Sequence, residues 1–188
     1  MSVEINLDTS FDGLSDGLQE VPIVMGVFEG HVPLHGYTGV IDWEVCGEVS
    51  RMIASGRFSG NEGDRLLLRL TESCHPERKV LVYGLGSRKG LSRGRLSSVT
   101  DGLFSTLAGL SIRSFVYVLP PLYDAGSDIR ETLDGIALSV MKFTSQGEAE
   151  YKLWLLWDSV SHSDIISSFK DAMGVFPEAS LSIIEKED

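Results

Sequence analysis

Cysteine is scarce: two residues, Cys46 and Cys74, in a chain of 188. That excludes a disulfide-stapled scaffold, which needs several bridges to replace a missing core. Cys46 falls beside the helical stripe Val45, Val49 and Met52 and is expected as a buried thiol. Long apolar runs are also lacking. None exceeds Leu153 to Trp157, far short of the roughly 20 residues that span a bilayer. The opening Met1-Ser2-Val3-Glu4-Ile5-Asn6 has no basic stretch followed by an apolar one, so no signal peptide is read. A soluble, cytoplasmic protein is expected. Basic residues are in short supply, 16 against 27 acidic, for a net charge of −11. Such a chain is repelled by phosphate backbones and anionic lipid, so neither nucleic acid nor a membrane is an expected partner. The one basic patch, Arg88, Lys89, Arg93 and Arg95, is small and has no aromatic residues between its charges.

What is present is an ordinary globular composition, 43% hydrophobic and 23% charged. Its length suits one domain, residues 1–188, with a proper core. The centre is Lys79 to Gly90, where the apolar run Val80 to Tyr83 leads into Gly84-Leu85-Gly86. A run without alternation is the mark of a strand covered on both faces. Further strands are expected at Val3–Leu7, Val21–Phe28, Arg65–Thr71, Ser114–Leu119, Tyr151–Trp157 and Leu181–Ile184. Helices are expected at Asp42–Ser55, Ser92–Leu110, Ser127–Thr144 and Ser163–Met173, each with an apolar stripe at helical spacing. Asp8 to Gln19 reads as turns with room for one helical turn, and Glu29 to Val40 as a loop. The alternation of strand and helix predicts an α/β fold with a mostly parallel, covered sheet. The short strand at Val3 and the close pair Arg65–Thr71 and Lys79–Gly84 predict some antiparallel pairing.

Several motifs in order carry a family resemblance. They are Val24-Met25-Gly26-Val27-Phe28-Glu29-Gly30, then Asp42-Trp43 opening a helix, then Gly56-Arg57-Phe58-Ser59-Gly60-Asn61-Glu62-Gly63 before Leu66-Leu67-Leu68. The last is Val80-Leu81-Val82-Tyr83-Gly84-Leu85-Gly86-Ser87-Arg88. The chain resembles the N-terminal domain of the M17 leucyl aminopeptidases over residues 3 to 145. The resemblance implies a macro-domain-like three-layer sandwich, a mixed sheet flanked by helices. In that family a separate domain holds two metal ions with lysine, aspartate and glutamate motifs such as Asn-Thr-Asp-Ala-Glu-Gly-Arg. No such run occurs here, so no catalytic residue, metal or cofactor is carried over. The expected role is non-catalytic, in protein contacts, either self-association or binding to a separate peptidase chain. The alternative is a macro-type module for ADP-ribose or a related nucleotide.

Candidate ligand residues follow from that alternative. Macro-type phosphate loops match Gly36, Tyr37, Thr38 and Gly39, and Gly84, Leu85, Gly86 and Ser87, where backbone donors at a helix start can hold a phosphate. Two glycines do not make the usual glycine run, and Asp42 at the helix start would occupy the donors and repel an anion. The second stretch is not a dinucleotide fingerprint. Gly90 stands four residues after Gly86 instead of three, and the next strand ends in Leu119-Pro120-Pro121 instead of an acid. His31 and His35 span a loop with Pro33, a spacing that does not align two imidazoles for zinc. No serine is expected to act as a nucleophile. Trp154 and Trp157 point to opposite faces of one strand. Both are expected in the core, and an exposed one would anchor a partner.

Overall fold

The computed structural model of the protein describes residues 2–7, 18, 20–69, 79–89, 92–120, 129–145, 150–157, 161–176 and 180–185. Among these residues seven strands and five helices follow in the order β1 (Ser2–Leu7), β2 (Ile23–Phe28), α1 (Gly36–Glu44), α2 (Glu48–Ala54), β3 (Arg65–Arg69), β4 (Lys79–Gly86), α3 (Arg93–Gly109), β5 (Ser114–Val118), α4 (Ile129–Ser145), β6 (Tyr151–Leu156), α5 (His162–Val175) and β7 (Ser180–Glu185). The strands form one sheet in the order β3-β4-β2-β5-β6-β1-β7. Among the described strands only β3 runs antiparallel, with Arg65 opposite Tyr83 and Arg69 opposite Lys79. The mixed sheet is thus as expected for that pair. Strand β1 departs from expectation, being parallel to both β6 and β7.

The central strands are buried on both faces, and their alternation divides two cores. Ile23, Met25 and Val27 of β2 join Val80 and Val82 of β4 against Ile41, Val45 and Val49 on one side. Val24 and Phe28 join Leu81, Tyr83 and Leu85 on the other, under Leu96, Leu103 and Phe104 of α3, Ile136 and Val140 of α4 and Ile165 of α5. Each such side chain contributes about 1.5–3 kcal/mol when fully buried. Two cores explain why the run at Val80 shows no polar alternation. Gly26 makes room in the second core: a Cβ there would lie 2.9 Å from the Tyr83 ring. Tyr83 and Tyr117 share a hydrogen bond of 3.0 Å between their hydroxyls. Burial raises the pKa of both phenols, so the pair is neutral.

The expected helix Asp42–Ser55 is two helices, and the first begins earlier. Cys46 (φ 58) and Gly47 (φ 73) are both left-handed, which ends α1 and lets α2 restart at Glu48. The Asp42 carboxylate braces the break, accepting from Ser50 N at 3.1 Å and Ser50 Oγ at 2.5 Å. Asp42 therefore lies in the last turn of α1, not at a helix start. Cys46 also departs from expectation: its left-handed backbone turns it out, and it is exposed and disulfide-bonded. Cys74 and the turn-rich stretch 8–17 lie outside the described residues. Helix α5 runs through Gly174, past its expected stop. Trp157 is buried, and Trp154 is half-buried beneath Lys152 at 5.2 Å. Since β6 sits between β5 and β1, neither tryptophan is an edge anchor.

Candidate functional site

Parallel strands β2 and β4 end side by side, at the end of the sheet where α/β folds collect ligands. The predicted Gly84–Ser87 stretch is there, but as the end of a strand and not as an open loop. The chain itself fills it. Gly84 N donates to Asp64 O at 3.0 Å, and Gly86 N donates to Gly60 O at 2.8 Å. A Cβ on Gly84 would overlap the Asn61 carbonyl oxygen, and one on Gly86 would overlap the Arg95 guanidinium. Glycine is needed for a close approach of chain to chain. Arg95 closes the remaining space, donating from Nη2 to Leu85 O at 2.9 Å and from Nη1 to Ser87 O at 2.8 Å, while Nε pairs with Glu62 at 3.1 Å.

The covering loop is shaped by Asp64. Its carboxylate accepts from Ser59 Oγ at 2.6 Å and from the N–H groups of Ser59 and Asn61, both at 3.2 Å. These bonds, the Ser59 hydroxyl foremost, hold its pKa below the ordinary carboxylate value. The basic patch seen in the sequence is thus spent partly inside the fold.

The other predicted stretch, Gly36 to Gly39, is the first turn of α1 and not a loop. Gly39 sits against the Leu34 carbonyl, where a Cβ would come within 2.7 Å. His35 is the N-cap and makes no side-chain cap, and the first turn carries no acid. Since Asp42 has moved to the other end of α1, the repulsion expected from it does not operate here. His31 and His35 are brought together, with ring centroids 5.5 Å apart and the rings edge to face. Arg88 lies over the Phe28 ring at 5.1 Å. Burial lowers the His31 pKa, and the charges of Arg88 and His35 add to that. His31 Nε2 is buried and has no hydrogen-bond partner. His35, the N-cap of α1, and Arg88, just beyond the Gly84–Ser87 stretch, thus both lie near His31. Among the described residues no group of three or more His, Cys, Asp or Glu could hold a metal ion. His75 is outside them.

Gly90-Leu91-Ser92-Arg93-Gly94 has the letters of a nucleophile elbow, with Gly90 and Leu91 outside the described residues. An elbow turns sharply from strand to helix, whereas five residues separate Gly86 from Ser92. Ser92 instead caps α3, its Oγ accepting from Arg95 N at 3.3 Å.

A third feature was not read from the sequence. Trp43, on α1, is 78% exposed, and Val40 one turn earlier is exposed too. Beside it lies an open cavity of about 920 Å³ lined by Pro33, Leu34, Gly39, Asp42, Trp43, Glu44, Cys46, Gly47 and Ser50. Helical phase carried the signal: Ile41 and Val45 face the core, so Trp43 between them cannot.

The chain and its fold have known counterparts. The model of the cytosol aminopeptidase family, N-terminal domain, matches residues 24–145. The chain belongs to this family. A probable cytosol aminopeptidase of Pseudomonas syringae pv. tomato is 26% identical over 168 residues, covering 84% of this chain and 34% of the relative. The chain thus spans about a third of that relative's length, and 18% of a second one from Alkaliphilus oremlandii. Among solved structures, a tomato leucine aminopeptidase mutant aligns with a TM-score of 0.62 at 17% identity, over 92% of this chain and 36% of that one. A Trypanosoma brucei macrodomain in complex with ADP aligns with a TM-score of 0.66 at 16% identity, over 92% and 69%. These likenesses show the cytosol aminopeptidase N-terminal fold to be macrodomain-like. No helix among the described residues is long and apolar enough to cross a membrane.

Proposed function

We propose that this cytosol aminopeptidase N-terminal domain is non-catalytic and acts through protein contacts, with a second copy or with a separate peptidase chain. One observation carries the reading: Trp43 stands exposed beside an open cavity, while the Gly84–Ser87 turn is filled by the chain's own atoms. Tryptophan is enriched among the residues that carry most of the energy of protein contacts. Light scattering on the pure chain, alone and mixed with a cytosol aminopeptidase chain of the same cell, tests this. Complex formation that weakens in Trp43→Ala supports it. A monomer under all these conditions overturns it.

A second reading has its own observation. The start of α1 carries no side-chain cap and no acid, and His31, His35 and Arg88 flank it. That arrangement suits an anion such as the diphosphate of ADP-ribose or ADP. Calorimetry with ADP-ribose, using Arg88→Ala as control, tests it. Heat that the substitution abolishes supports a ligand site, and no heat at millimolar ligand ends the reading.

A further inference from the structure

Strand β3 closes one end of the sheet, and among the described strands only β4 pairs with it. The outer edge of such a strand offers backbone donors and acceptors to any extended chain that can lie alongside. Its side chains alternate between two faces. Leu68 packs in the core with Ile23 and Val80, and Leu66 lies against that core. Arg65, Leu67 and Arg69 point to the other face, where Leu67 stands opposite Leu81 and Arg69 opposite Lys79. Leu81 is buried there, yet Leu67 is 49% exposed, and Arg69 and Lys79 are exposed as well. The cover that α3 gives this face therefore stops short of the edge. Arg65 reaches toward α3, its Nη2 3.0 Å from where a Cβ on Gly102 would stand, while its Nη1 donates to the Asp64 carbonyl at 2.9 Å. An apolar side chain is thus left open between cations.

Elsewhere in this acidic chain Arg51, Arg95, Arg130, Lys142 and Lys152 are paired with carboxylates. None of the ion pairs among the described residues includes Arg65, Arg69 or Lys79. A second copy of the chain does not suit this edge. Two β3 strands paired antiparallel about Leu67 would set Arg65 against Arg69 twice, and like charges directly opposite are destabilising. An acid at each of those places makes both contacts favourable.

We propose that the outer edge of β3 takes up an extended, acidic segment of a partner protein as an added strand. An apolar residue of the segment lies beside Leu67, and acids at the alternate positions on either side lie beside Arg65 and Arg69. Lys79 adds positive charge behind Arg69. The arginines that keep copies of this chain apart select the partner. This surface is separate from Trp43, because α1 covers the opposite face of the sheet through Ile41.

The test adds the labelled peptide acetyl-Ser-Glu-Thr-Val-Thr-Glu-Ser-amide to the full chain, read by fluorescence anisotropy and by hydrogen exchange of the β3 amides. Saturable binding with slowed exchange at β3 is expected. The rearranged peptide acetyl-Glu-Glu-Thr-Thr-Val-Ser-Ser-amide keeps the charge and loses the alternation, and should bind about threefold to tenfold more weakly. Arg69→Glu, at an exposed position that leaves the core intact, should weaken the first peptide by a similar factor. The same variant should bind a peptide with lysines in place of the glutamates more tightly than the parent does. Trp43→Ala should bind the first peptide as the parent does. A flat titration at millimolar peptide, equal binding of the rearranged peptide, or binding without slowed exchange at β3 overturns the proposal. So does loss of binding in Trp43→Ala, which would place the peptide at α1.

Discussion

Replacing Gly84 by alanine places a methyl group on the Asn61 carbonyl oxygen. Strand β4 cannot yield, since β2 and β3 pair with it on both sides. The covering loop must move instead. Overpacking of this kind costs about 1–3 kcal/mol. Moving the loop also loosens two backbone bonds, Gly84 N to Asp64 O and Gly86 N to Gly60 O, each contributing about 0.5–1.5 kcal/mol. The expected loss is therefore about 2–6 kcal/mol, a large part of the ~5–15 kcal/mol that holds a domain together. Urea unfolding reads it as a midpoint lowered by roughly 1–3 M at an ordinary slope. Gly94→Ala is the control. Its Cβ meets nothing within 4 Å, and in a helix it should add about 0.4–1 kcal/mol. If Gly84→Ala stays within about 0.5 kcal/mol of the parent, the turn is open, and its closure by the chain's own loop is wrong.

The buried tyrosine pair predicts a matched cost. Tyr83→Phe and Tyr117→Phe each leave a buried hydroxyl without its partner at 3.0 Å and should each cost about 1–3 kcal/mol, and chemical denaturation showing no loss for either would contradict the pairing. His31 has a lowered pKa in the folded chain, so the unfolded chain takes up its proton first as pH falls. Its contribution to stability is complete above its ordinary value of 6.5 and is lost as pH falls through its folded pKa. Unfolding midpoints at about pH 7.5 and about pH 5.5 should therefore drop further for the parent than for His31→Gln, and equal drops would show that His31 is not the group responsible. Trp43→Ala should leave the thermal midpoint of the isolated chain unchanged, within about 0.5 kcal/mol. A clear loss would mean that Trp43 supports the fold and is not held out for a partner.

Much of the sheet was legible because burial writes itself into composition. Val80 to Tyr83 lacks polar alternation since both of its faces are covered, and the short span from Arg65 to Gly84 forces β3 and β4 to pair antiparallel. The failures have physical causes too. Gly36 and Gly39, with Pro33 just upstream, read as loop residues, yet Gly39 is required inside a helix by the Leu34 carbonyl. The break at Cys46 is invisible in periodicity, because Val45 and Val49 both keep facing the core across it. Placing one helix start at Asp42 instead of Gly36 then moved a carboxylate to the wrong end and hid the phase that turns Trp43 outward. The closure of the glycine turn depends on Arg95 reaching Glu62, 33 residues away in the chain, a pairing that no local pattern encodes. Glycines after a strand look the same whether they make room for a phosphate or for the chain itself.

The most direct measurement is the mass of the chain in solution across a wide range of concentrations, alone and with a cytosol aminopeptidase chain, for the parent and for Trp43→Ala. A protein that acts through the Trp43 face gives a mass above the monomer, or a complex with the peptidase chain, and Trp43→Ala weakens either one without unfolding. A monomeric mass for the parent under every condition, with no complex formed, would contradict a contact role for this domain.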